Sequence, residues 1–236
     1  MNNCLACLQK LCMHKVPIFT SLNQEELRKI ASLIQHQEYQ KGEALFVEGA
    51  LVSSLIIINE GSAKAFRYTS EGREQILYIF AEGDFLGEQN LLSNQRASYT
   101  VEALANVKLC LLAKQEFQQL LEEYPTIAVK IIAELGSRMT RLENSLQSIG
   151  VRSIDARICS LLLDFSLKYG KAVPEGILLR LPLSREGMAN YLGIARETIS
   201  RKLGQFENEG LIRGVSNKEL LILERDKLAA LAGELG

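Results

Sequence analysis

Two short helical patterns broken by Leu192-Gly193-Ile194, within the stretch Leu183–Gly210, constrain this chain more than any other feature. In the second pattern Ile199, Leu203 and Phe206 recur at steps of four and three. On a helix turning about 100° per residue, that spacing puts all three on one buried stripe. Arg196, Glu197, Ser200 and Arg201 then share a different face. These side chains suit base edges in a DNA major groove: arginine donates a fork to guanine, glutamate accepts from the cytosine amino group, and serine serves either. An amphipathic helix with a solvated charged face is the plainer alternative. Ser184 stands where an N-cap belongs and Gly193 breaks the pattern at the turn, so both boundaries of a helix-turn-helix have a mechanism. Beyond Gly210, Leu211-Ile212-Arg213 and Leu220-Leu221-Ile222-Leu223 read as two short strands of a wing, with a turn at Gly214 and Ser216-Asn217-Lys218.

A chain of 236 residues is long enough for two domains, and 47% hydrophobic with 23% charged residues describes a soluble globular protein. The net charge is −1, and from Val151 onward 13 basic residues stand against 11 acidic ones. DNA affinity therefore has to come from local placement. No uninterrupted apolar run reaches about 18 residues, and Met1–Lys15 carries cysteines where a signal peptide needs an apolar core. A cytoplasmic protein with no membrane contact is the expectation. No HExxH, GxSxG, phosphate loop or plausible acid–base pair is present, which leaves a cysteine-metal enzyme as a remote alternative and a non-enzyme as the expectation.

Taken in order, the chain opens with Cys4, Cys7 and Cys12, with His14 close behind. Two thiolates at CxxC spacing face a single metal from one turn of chain, and Cys12 returns within reach four residues later. Three cysteines so close together point to metal or redox work, incidental thiols being the alternative; His14 is the candidate fourth ligand of a zinc site. A cytosolic compartment argues against a structural disulfide framework, and Cys159, inside a helical pattern, reads as a small core residue. Asn23 or Ser21 caps a short helix whose buried stripe is Leu27, Ile30, Leu33 and Ile34. From Glu38 to Ala113, short apolar runs are punctuated by Gly42, Gly49, Gly61, Gly72 and Gly83, a spacing that argues for an all-β sandwich or jelly roll. Within it Cys110 taken alone reads as a buried thiol, and His36 as a surface residue. Pro125 stands at a plausible N1 position of a long helix, Thr126–Ile149. Leu135, Met139, Leu142, Leu146 and Ile149 step four, three, four, three along it, the seam of a two-stranded coiled coil and hence of a homodimer. Packing on the β domain is the alternative. Gly150–Arg152 makes a hinge, and Ser153–Tyr169 forms a helix with Ile154, Ile158, Leu161, Leu162 and Phe165 apolar, followed by a loop at Pro174 and Gly176. A dimer carries two recognition helices about one turn of DNA apart, which calls for double-stranded DNA with an inverted-repeat site.

NYLGIARETISR followed by LGQFENEGLI closely resembles the DNA-binding domain of the CRP/FNR family of transcription regulators. GDFLGEQNLL and QRASYTVEAL are similar to the ligand cassette of that family's barrel, and the fit runs from about Val16 to the C-terminus. The resemblance implies an α+β fold: a cysteine-containing segment at 1–16, a cyclic-nucleotide-binding-type β jelly-roll barrel at 17–124, a dimerisation helix at 125–150 and a C-terminal winged helix-turn-helix at 151–236. It places the base-reading positions at Arg196, Glu197, Ser200 and Arg201, with Ser184, Arg185, Thr198 and Lys202 completing the DNA-contacting set, and it implies RNA polymerase as a partner. Glu197 with Ser200-Arg201 looks like the FNR branch, whereas an arginine just before the glutamate looks like the CRP branch. TTGAT-like and TGTGA-like half-sites both stay open. Gly87, Glu88, Arg96 and Ser98 match the cassette, but the RSA of cAMP-binding relatives is here Arg96-Ala97-Ser98, the loop before it is shorter, and Leu142, at the adenine-facing position, offers no hydrogen bond. A cyclic nucleotide is thus not the expected effector, and another small molecule in the barrel is the alternative. In the FNR branch three N-terminal cysteines and one from a late barrel strand hold an iron-sulfur cluster, so the resemblance implies Cys4, Cys7, Cys12 and Cys110 as ligands of a 4Fe-4S cluster. The second gap has four residues instead of the usual five. EYPTIAVKIIAELGSRM is more similar to FNR-like regulators of Gram-positive bacteria, which use a reversible disulfide. Oxygen or redox state is the input expected either way, with structural zinc or no metal as the alternative.

Overall fold

The computed structural model describes residues 16–151 and 153–233, with side chains for all of these except 141 and 144–151. Cys4, Cys7, Cys12 and His14 lie outside the described residues, as do the side chains of Leu146 and Ile149. The chain divides into two compact units, one of the residues up to Arg67 with Leu77–Thr140, the other of Tyr68–Ile76 with the residues from Arg141 on.

The first unit is a jelly-roll barrel flanked by helices. Its strands are β1 (Gln35–Tyr39), β2 (Ala44–Phe46), β3 (Ser54–Glu60), β4 (Ala63–Tyr68), β5 (Glu74–Phe80), β6 (Phe85–Leu86), β7 (Thr100–Ala103) and β8 (Val107–Ala113). Two four-stranded sheets result, ordered β1-β8-β3-β6 and β2-β7-β4-β5. Successive side chains of a strand point to opposite faces, and β3 and β8 bury both. Leu55 and Ile57 join Cys110, Leu112, Phe117 and Ile127 in one core, whereas Ile56 and Ile58 join Leu86, Val101 and Leu109 in the other. That is why Leu55–Ile58 is apolar at every position; each such side chain contributes roughly 1.5–3 kcal/mol by leaving water. The glycines that punctuate these runs adopt positive φ. Gly61 also allows a close approach, since a Cβ there would lie 2.3 Å from the Asn106 carbonyl oxygen.

Helix α1 (Gln24–Leu33) opens with a capping box in which the Asn23 side chain accepts from the backbone of Glu25 and Glu26 and the Glu26 side chain returns to Asn23. Its buried stripe narrows to Leu27 and Ile30, because Leu33 is exposed and Ile34 only half-buried. After α2 (Glu88–Ser93) and α3 (Lys114–Glu123), α4 runs unbroken from Pro125 to Val151, two residues beyond its expected end and into the expected hinge. The apolar seam on α4 differs from the heptad reading at one position. Leu135 packs against the barrel core, while Val129 (65% exposed), Ile132 (68%), Met139 (61%) and Leu142 (39%) form the open stripe. No described helix is long and apolar enough to cross a membrane.

The second unit holds α5 (Ile154–Tyr169), β9 (Gly170–Val173), β10 (Gly176–Arg180), α6 (Arg185–Leu192), α7 (Arg196–Asn208), β11 (Ile212–Ser216), β12 (Glu219–Ile222) and α8 (Arg225–Ala232). Ser153 caps α5 by accepting from the Ala156 amide at 3.2 Å. Ile158, Leu161, Leu162 and Phe165 are buried as their spacing requires, Cys159 is a core residue, and Ile154 in the first turn is exposed. Pro174 and Gly176 belong to a hairpin instead of an open loop, because β9 and β10 pair on either side of them. The sheet order β11-β12-β10-β9 therefore gives the wing two strands beyond the expected pair. Gly214 lies inside β11, and the turn falls at Asn217-Lys218.

Candidate nucleic-acid interface and ligand cassette

The helix-turn-helix is built by local chemistry. Ser184 Oγ accepts the Gly187 amide at 3.1 Å and so caps α6. Gly193 ends α6 with φ of 64°, a left-handed conformation that glycine adopts without strain. The Arg157 guanidinium, from α5, donates to the Leu192 carbonyl in the same turn. Ile199, Leu203 and Phe206 of α7 are buried together, which turns Arg196, Glu197 and Arg201 outward, where all three are exposed. Among the described residues none forms a hydrogen bond or ion pair with these three side chains. Ser200 and Thr198 are half-buried, and Arg185 is exposed beside the α6 cap. Lys202 is placed differently from the rest of the set: its ammonium lies 2.8 Å from Asp155 of α5 and 3.1 Å from Gln205 Oε1. That ion pair fixes α7 on its supporting helix. Arg213 and Lys218 of the wing, also exposed, carry no signal in the sequence, because isolated cations in a hairpin have no periodicity.

The barrel cassette centres on Gly87, which precedes α2 with φ of 90°; a Cβ there would lie 2.8 Å from the Ser54 carbonyl oxygen. Glu88 follows and is buried, 2.8 Å from Arg138 of α4. The Arg138 guanidinium also donates to the Phe85 carbonyl at 2.6 Å and sits over the rings of Phe85 (4.8 Å) and Phe80 (5.7 Å). Burial pushes the Glu88 carboxyl above the usual carboxylate range, the nearby Arg138 pulling the other way. Its Oε2 has no hydrogen-bond partner among the described residues. Arg96 and Ser98 are exposed, and Arg96 donates to the Gly49 carbonyl at 2.9 Å. The four cassette residues thus do not converge: Glu88 is turned to α4, and Arg96 to a neighbouring loop.

Cys110 lies on β8 with its side chain in the core shared with α1, α3 and α4. His36, directly across the β1–β8 ladder, brings Nδ1 to 3.8 Å from Cys110 Sγ. His36 is exposed as expected, but this contact makes it more than a bystander. No cluster of three metal-ligating side chains occurs among the described residues.

A jelly-roll barrel, a long helix and a winged helix-turn-helix with an outward arginine–glutamate face define a DNA-binding transcription regulator. Family profiles agree: "Cyclic nucleotide-binding domain" matches residues 36–124 and "Crp-like helix-turn-helix domain" residues 156–231. The chain is 29% identical over 221 residues to the probable transcriptional regulator flp of Lacticaseibacillus casei, covering 94% of this chain and 98% of that protein. It is 28% identical over 233 residues to the fumarate and nitrate reduction regulatory protein of Salmonella typhi, covering 98% and 92%. FixK2 from Bradyrhizobium japonicum has the same fold, with a TM-score of 0.76 at 23% identity over 84% of this chain and 96% of that one. The chain belongs to the CRP/FNR family, on its FNR-like branch. It is a transcription regulator and not an enzyme.

The buried pair generates a stability prediction. Arg138→Ala strands the Glu88 charge and destabilises the protein by about 3–5 kcal/mol, whereas Glu88→Leu with Arg138→Met restores most of the loss. Urea unfolding midpoints decide it, and equal losses in the single and double variants would show that the pair is not what the helix depends on.

Proposed function

We propose that this chain is a dimeric, sequence-specific DNA-binding regulator that answers to oxygen or redox state through Cys4, Cys7, Cys12 and Cys110. The observation that carries the DNA reading is the α7 face, with Arg196, Glu197 and Arg201 exposed over a fully buried stripe. Ser200 completes the base-reading set; Ser184, Arg185 and Thr198 supply the phosphate contacts that orient the helix in this reading. Lys202 acts through Asp155 as a positioning residue. Inverted-repeat DNA follows from two-fold symmetry, and RNA polymerase is the partner that a transcription regulator implies.

Dimerisation rests on the exposed stripe Val129, Ile132, Met139 and Leu142. Four large apolar side chains along one face of a helix suit a second copy of the same helix, and Leu146 and Ile149 extend the sequence pattern. In the redox reading Cys110 is the fixed end. Val16, four residues on from Cys12 in the sequence, belongs to the same buried core as Cys110. Thiolates at Cys4, Cys7, Cys12 and Cys110 form a donor set that suits iron and sulfide, and a 4Fe-4S cluster would supply an oxygen-labile centre there. The competing form is a dithiol that gives up two protons and two electrons to an oxidant and closes as a disulfide. The cassette plays no part in either form.

Three outcomes test this reading. Protein purified without oxygen is expected to absorb broadly near 400 nm and to contain iron and sulfide, both lost with Cys110→Ser; colourless, iron-free protein whose thiol count falls by two in air would select the disulfide, and no change in either would remove the redox role. Arg201→Ala is expected to cost on the order of 1–3 kcal/mol on the preferred site and to relax specificity at one base pair, so an equal loss on random DNA would contradict base reading. Ile132→Glu with Met139→Glu should halve the mass measured by light scattering, whereas an unchanged mass would place the dimer contact elsewhere.

A further inference from the structure

The last turn of α7 makes a contact that the base-reading face does not need. Glu207 Oε1 accepts the backbone N–H of Gly214, in β11, at 2.7 Å. β11 is an edge strand of the wing sheet, and edge strands present backbone groups that no neighbouring strand takes up. The register against β12 shifts between Gly214 and Ser216, where Val215 is the extra residue. Gly214 does not have positive φ, so its backbone conformation does not demand glycine. A Cβ at Gly214 would lie 2.6 Å from Glu207 Oε1, so any side chain there would displace the carboxylate from the amide. On the other side of the hairpin, the Leu181 amide donates to the Lys218 carbonyl at 2.8 Å, and the Lys218 amide to Ser216 Oγ at 3.2 Å. The tip is therefore held from both strands, one of them tied directly to the base-reading helix. Arg213, Ser216, Asn217 and Lys218 are all exposed on it.

We propose that Glu207 is a positioning residue that sets the wing against α7, so that Arg213 and Lys218 grip DNA phosphates flanking the bases read by Arg196, Glu197 and Arg201. A carboxylate would repel those phosphates if it faced them; bonded to a backbone amide, it is satisfied and directed away. The two wing cations reach the backbone only while β11 is held, and phosphate contacts of this kind add affinity without reading sequence. The proposal rests on the DNA-binding reading above, and the experiment separates the two.

The test uses the full-length chain and the duplex it selects from a randomised pool, made once with eight base pairs beyond each half-site and once trimmed to the half-sites. Trimming is expected to weaken wild-type binding about tenfold. Glu207→Ala, Gly214→Ala and the Arg213→Ala/Lys218→Ala pair should bind the long duplex as weakly as wild type binds the short one, and match wild type on the short one. Glu207→Gln keeps an acceptor oxygen and should retain most of the flank dependence. In the wing-cation double variant, the slope of log K against log salt should fall by about 0.9 for each phosphate that is no longer neutralised. A wild type indifferent to trimming, or a Glu207→Ala loss of equal size on both duplexes, would overturn the proposal while leaving base reading intact. Failure to select any duplex would overturn both.

Discussion

A single guanidinium under α4 ties the long helix to the barrel. Arg138 reaches a buried carboxylate, a backbone carbonyl and two aromatic faces at once. Removing charge from water costs several kcal/mol per ion unless geometry returns it, so this arrangement tolerates little displacement of the helix along the barrel. Leu135, one turn before Arg138, packs on the same side, and Ile132 and Met139 are consequently turned outward. The apolar face left open is thus set by the anchor and not by the heptad alone. The same anchor occupies Glu88, a residue of the expected ligand cassette.

Much of the DNA-binding unit was legible in the sequence because its signals are local. Ser184 as a cap, Gly193 as the break and Ile199, Leu203 and Phe206 as the stripe each follow from backbone sterics or helical period, and all three occur. Turn glycines marked out the barrel for the same reason. What escaped depends on partners distant in sequence. Lys202 looked like one more cation on the reading face, but Asp155, 47 residues earlier, takes it. Leu135 fitted the heptad, and it is half-buried against a barrel core. β9 is short and contains glycine, lysine and alanine, with no alternation to announce a strand; only β10 beside it makes it one. Glu88 carried the family signature of a ligand residue, and nothing within its own stretch announced an arginine 50 positions away.

Cys110 is placed by β8 among Leu55, Ile57 and Leu112, a setting that by itself suits an inert core thiol. What distinguishes it is His36 at hydrogen-bonding distance for sulfur and Val16 in the same core. Cys110 and the base-reading face of α7 lie on separate elements, with the continuous helix Pro125–Val151 between them in the sequence.

The most direct test of this account is the affinity of the anaerobically purified full chain for its selected duplex, measured by fluorescence anisotropy before and after oxidation that is followed on the same sample by thiol and iron content. The account predicts at least a tenfold change in affinity that tracks the chemical change at the cysteines. An affinity that stays constant while the cysteines are demonstrably oxidised would contradict it, leaving a DNA-binding regulator whose input is something other than redox state.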